Sequence, residues 1–105
     1  LRVVSAPYFL ATKLEAFDGR GRGDYRASHD LEDLVAVADG RPELVEEVAA
    51  APKALRDYLE RRIGRLLDDP DFVVALPGHL PGDDASQGRV PMVLERLRTL
   101  AGRSA

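Results

Sequence analysis

A chain of 105 residues is long enough for one domain with a real core but not for two, and 45% hydrophobic with 31% charged residues is the balance of an ordinary globular protein. A net charge of −3 and a pI near 5.3 exclude a global basic field of the kind that holds nucleic acid regardless of sequence, so any anion site has to be local. The absence of cysteine excludes disulfides, a thiol nucleophile and a thiolate metal site. With no apolar run near the roughly 18 residues of a membrane span and no charged-then-apolar leader, the expectation is a cytoplasmic protein that does not engage the membrane.

Leu1 to Ser5 alternate like an edge strand, and because Leu1 is not an initiator methionine the chain is expected to be the tail of something longer. Ser5 and Pro7 then open a first helix, expected near residues 8 to 17, which ends in the glycine- and arginine-rich stretch Asp18-Gly19-Arg20-Gly21-Arg22-Gly23-Asp24. Ser28 is the N-cap of a second helix, 29 to 38, that Asp39-Gly40 should close with glycine in the left-handed conformation. A third helix follows from Pro42 to Ala50, and a fourth over 53 to 67 keeps Leu55, Tyr58, Leu59, Ile63, Leu66 and Leu67 on one stripe. Asp69 before Pro70 caps a short apolar helix to Leu76, and Pro77 to Gly82 read as a loop. A last helix is expected over 84 to 101, with Pro91 beginning or kinking it. These elements predict an all-α compact bundle of five or six short helices, residues 1 to 105 forming a single domain.

Two spacings point to chemistry. Phe9, Leu10, Lys13, Leu14 and Phe17 fall at helical intervals, which turns Lys13 into the apolar stripe of its own helix. Asp30 and Asp33 are three apart beside the stripe of Leu31, Leu34, Val35 and Ala38, so both carboxylates are expected to be half buried. Charges in such places need partners, because desolvating one alone costs several kcal/mol. Spacing leaves two arrangements open: an internal ion pair from Lys13 to Asp30 or Asp33, or a site where Lys13 with Arg20 and Arg22 takes triphosphate oxygens while the carboxylates hold a metal or act as a base. His29 and His79 have no helical metal-ligand partner and are expected to be capping or surface residues. The Gly-x-Gly-x-Gly of 19 to 23 lacks both the preceding strand and the following lysine of a phosphate loop.

The order Ser5-Ala6-Pro7-Tyr8-Phe9-Leu10-Ala11-Thr12-Lys13-Leu14-Glu15-Ala16-Phe17, then Arg20, then His29-Asp30-Leu31-Glu32-Asp33-Leu34, resembles the C-terminal motif of AbiEii-type toxins, which belong to the polymerase-beta-like nucleotidyltransferases. Lys13, Ala16 and Arg20 match at the family's spacing. Asp30, Asp33 and Leu34 match after a longer loop, and His29 stands where the family has arginine, leaving Arg22 or Arg26 to supply that anion contact. The resemblance implies Lys13, Arg20 and Arg22 as phosphate-binding residues and Asp30 and Asp33 as catalytic ones. It also implies Mg²⁺ and nucleoside triphosphate for the complete enzyme, an RNA, protein or small-molecule acceptor, and a partner that is the catalytic half or an antitoxin. The family's Gly-Ser followed by Asp-x-Asp, its metal-binding core, does not occur in these residues, so the chain alone is expected to lack a resident metal and to be inactive. Two rival expectations are a non-catalytic helical interaction domain and a HEPN-like RNase using Arg22 and His29.

Overall fold

The computed structural model describes residues 5–20, 24–25 and 28–103, with Arg20 through its backbone alone. Every regular element among them is helical: α1 (Ala6–Arg20), α2 (His29–Gly40), α3 (Leu44–Ala49), α4 (Lys53–Asp68), α5 (Pro70–Ala75), a 3-10 turn (Leu76–His79), α6 (Asp84–Gln87) and α7 (Val90–Leu100). The all-α expectation holds. The edge strand proposed for Leu1 to Ser5 falls almost wholly outside the described residues.

Capping chemistry starts the helices where the sequence indicates. The Ser28 hydroxyl accepts the Leu31 N–H at 3.2 Å, and Asp69 accepts that of Asp71 at 2.9 Å, each satisfying a donor that the first turn leaves free. The ends differ more. Helix α2 continues to Gly40, which is not left-handed; among the described glycines only Gly102 has a positive φ, of 71°. Arg96 supplies the reason, donating from Nη1 to the carbonyls of Ala38 at 2.8 Å and Asp39 at 3.1 Å and so doing part of what a glycine cap would do. Helix α3 is shorter than expected, because Pro42 and Glu43 form a turn before it. The stretch after α5 is a 3-10 turn through His79 where a loop was expected. The single last helix is two: Pro91 has no N–H to give the carbonyl of Gln87, so α6 stops and α7 begins around it.

Helices α1, α2, α7 and α4 pack as a closed ring in that order, with α3 laid against α1 and α7, and with α5 and its 3-10 turn reaching between α4 and α2. Leu10 and Leu14 from α1, Leu31 and Leu34 from α2, Leu59 and Ile63 from α4 and Leu97 from α7 are fully buried at the centre, with Phe72 of α5. Each contributes about 2–3 kcal/mol of apolar burial, the main force holding helices this short. The ring makes α1 a shared wall, with α2 on one side and α4 on the other. No described helix is long and apolar enough to cross a membrane.

Candidate functional site

Lys13 sits one turn after Phe9 and one before Phe17, and the buried Leu10 and Leu14 beside it fix the rotation of α1. Its Nζ lies 2.8 Å from Oδ2 of Asp33 and 3.9 Å from Oδ1 of Asp30, and 5.3 Å from the centre of the Phe9 ring. The two carboxylates reach it because they stand one turn apart in the first two turns of α2, which Ser28 anchors. Their burial is unequal. The Asp30 side chain is 7% exposed, that of Asp33 45% and that of Lys13 22%. The expectation of two half-buried carboxylates therefore holds for Asp33 and understates Asp30. Asp30 stands in the first turn of α2, where the partial positive charge of a helix N-terminus favours a carboxylate.

The structure thus brings Lys13, Asp30 and Asp33 together. Arg22 lies outside the described residues, as does the side chain of Arg20, whose backbone ends α1 two turns beyond Lys13. Arg26 is outside them too. His29 is on the solvent face of α2, its Nδ1 3.6 Å from Oε1 of Glu32. His79 corrects the sequence reading: it is buried, not a surface residue, and Nε2 donates to the carbonyl oxygen of Tyr25 at 2.6 Å. The 3-10 turn causes this by carrying the ring inward against the loop between α1 and α2.

Chemically, the triad is a cation shared by an exposed and a buried carboxylate. An ammonium is a compact point charge with three donors, and an incoming phosphate oxygen can take the place of Asp33, which has water to turn into. The Lys13 ammonium lies within reach of both carboxylates, at 3.9 Å from Asp30 and 2.8 Å from Asp33. Among the described residues no group of three or more histidine, aspartate or glutamate side chains could hold a metal ion. Asp69-Pro70-Asp71 has the Asp-x-Asp spacing, but Asp69 spends one oxygen on the N-cap of α5 and the other on Tyr25.

A second cluster on the other flank of α1 escaped the sequence reading. Arg62, 7% exposed at its side chain, forks Nε and Nη2 onto the two oxygens of Asp18 at 2.8 and 2.5 Å. Next to it the Tyr25 hydroxyl donates to Asp69 at 2.8 Å, a bond that holds the proton and, with burial, raises the phenol above its ordinary pKa. The signal that could have found Arg62 is the one that found Lys13, since Arg62 follows Leu59 by three and precedes Leu66 by four and so lies on the stripe of α4. No family model matches the chain, and no curated protein or solved structure is significantly similar to it.

Proposed function

We propose that this chain is the nucleotide-facing helical portion of a nucleotidyltransferase of the AbiEii type, with Lys13 taking a phosphate oxygen and Asp30 and Asp33 orienting the ammonium and the reacting groups. The observation that carries the reading is the meeting of Lys13 with Asp33 at 2.8 Å across two helices, where the matching motif residues would have to converge. Asp30, buried, sets the position of the ammonium, and Asp33, half exposed, is the partner that a phosphate displaces. The metal-binding carboxylates that the reaction requires belong to residues outside this arrangement, and the acceptor, RNA among the candidates, approaches from that side.

The second reading, a non-catalytic helical interaction domain with a catalytic-half or antitoxin partner, is favoured by one fact: Lys13 is already neutralised within the chain. Incubating the purified chain with labelled nucleotides, Mg²⁺ and mixed RNA and protein acceptors separates them. The expected result is no transfer, together with weak nucleoside triphosphate binding that disappears in Lys13→Ala. Robust transfer lost in Lys13→Ala would show the chain to be a complete enzyme. Triphosphate binding indifferent to Lys13 favours the interaction domain, and RNA cleavage lost in His29→Ala favours the RNase.

A further inference from the structure

We infer that the cavity between the end of α1, Tyr25 and α4 takes a free α-amino acid with an aromatic side chain, its carboxylate on Arg65 and Arg62 and its ammonium on Asp69. This site is separate from that of Lys13 and does not depend on the nucleotide-facing reading. The cavity has a volume of about 350 Å³, at the small end of the range for small-molecule sites, which suits a single small metabolite.

Two opposite charges that do not meet carry the inference. Arg65 in the last turn of α4 and Asp69, which caps that helix, stand four residues apart, and both line the cavity. At that spacing a cation and a carboxylate can close on each other, yet among the described residues no ion pair joins these two. Asp69 instead accepts the Tyr25 hydroxyl at 2.8 Å and the Asp71 N–H at 2.9 Å, one on each oxygen. A carboxylate has about four lone-pair sites, so each oxygen keeps room for a further donor. Arg65 has no polar partner among the described residues, and Arg62 adds a second cation, more than nine-tenths buried. Arg62 commits Nε and Nη2 to Asp18, while Nη1 makes no hydrogen bond. Because no unpartnered side-chain nitrogen among the described residues is sealed from solvent, that Nη1 opens onto the cavity that Arg62 lines.

The lining selects a ligand carrying both charges. Asp18 and Asp69 balance Arg62 and Arg65, so an anion alone meets an unanswered carboxylate and an amine alone meets unanswered guanidinium groups. An α-amino acid bears its ammonium and carboxylate on one carbon, and the single turn between Arg65 and Asp69 lets it answer both at once. The rings of Phe17 and Tyr25, 5.3 Å apart at 41°, leave an aromatic wall for its side chain.

The test is an NMR titration of the isotopically labelled chain at millimolar ligand, using phenylalanine, 2-phenylethylamine, 3-phenylpropionate, glycine and phenylalanylglycine. Phenylalanine is expected to move the amide signals of Phe17, Tyr25 and Leu66. Phenylethylamine, without the carboxylate, and phenylpropionate, without the ammonium, should each bind about tenfold more weakly, the worth of one charge-assisted hydrogen bond. Glycine, which has no ring for the wall, should also bind more weakly. Arg65→Ala, an exposed substitution whose fold the same spectrum verifies, should weaken phenylalanine by about tenfold and leave phenylethylamine unchanged. Cavity signals unmoved by phenylalanine, or phenylalanine binding indifferent to Arg65→Ala, overturns the site. Either one-charge analogue binding as well as phenylalanine reduces it to an apolar hollow and overturns the zwitterion. Tighter binding of phenylalanylglycine makes the occupant a peptide end and overturns the free amino acid.

Discussion

Helix α1 carries two ion contacts five residues apart, and they are built in opposite senses. At Lys13 one cation, partly open to water, is shared between two carboxylates at unequal distances, 2.8 and 3.9 Å. At Asp18 the carboxylate is the open partner, 41% exposed, and the cation Arg62 is the buried one, gripped by two parallel bonds. A point charge held by one good contact and partly open to water can exchange that partner. A planar fork sunk in the core cannot be traded. The same helix thus presents an exchangeable charge toward α2 and a fixed one toward α4.

That contrast predicts an asymmetry within the second pair, and this is the largest effect expected. Asp18→Ala leaves a buried guanidinium without its counter-ion and should cost about 2 kcal/mol, reduced from the 3–5 of a fully buried pair because the adjoining cavity admits water. Arg62→Met leaves Asp18 free to hydrate while the methionine fills the space, and should cost about 1 kcal/mol. Urea unfolding of the two variants checks the order. Equal costs would mean that Arg62 is not the fixed partner.

Next in size is the cap that aims the other site. Ser28→Ala removes the acceptor for the Leu31 N–H and should lower stability by about 1 kcal/mol, loosening the turn that carries Asp30 and Asp33. Triphosphate binding should weaken with it if Lys13 depends on that turn, and Ser28→Asp, a cap of equal quality, should restore both. Smaller again is the coupling of Lys13 to Asp33. With Asp33 nearly half exposed, a double-mutant cycle in chemical denaturation should give about 0.5 kcal/mol. A coupling above about 2 kcal/mol would make the pair a structural staple like Arg62 and Asp18, and the idea of an exchangeable charge would fall.

The two regions also differ in how far the sequence revealed them. Lys13 was legible because helical periodicity is local: its neighbours Leu10, Leu14 and Phe17 are enough to say which way it points, and Asp30 and Asp33 belong to the next helix along. The stripe of α4 and the caps at Ser28 and Asp69 were legible for the same reason. Arg62 meets a partner 44 residues away, and no periodicity names that partner. His79 and Tyr25 are 54 apart, and the inward turn of His79 depends on a 3-10 turn that glycine and proline composition had marked as loop. The end of α2 was misread because the groups closing it come from Arg96, far along the chain, and not from Gly40. Local rules reached the exchangeable charge and missed the fixed one, whose geometry only the assembled ring creates.

The smallest effect expected is a pH dependence that reads the fixed region alone. Tyr25 donates to Asp69, and this bond, with burial, raises its phenol above the ordinary value near 10. The folded state therefore holds the tyrosine proton more tightly than the unfolded state does. The resulting stability is fully present below about pH 10, the unfolded value, and is lost as pH rises through the higher folded one, where tyrosinate would face the Asp69 carboxylate. Wild type and Tyr25→Phe, compared by thermal unfolding from pH 7 upward, should differ by a constant amount until about pH 10 and converge beyond it. Because Lys13 and its carboxylates lie on the other flank of α1, the coupling between Lys13 and Asp33 should not change between pH 7 and pH 9 in either background. If the two proteins show no gap even below about pH 10, ring packing against Phe17 and Phe72, which phenylalanine keeps, and not the bond to Asp69, is what Tyr25 contributes.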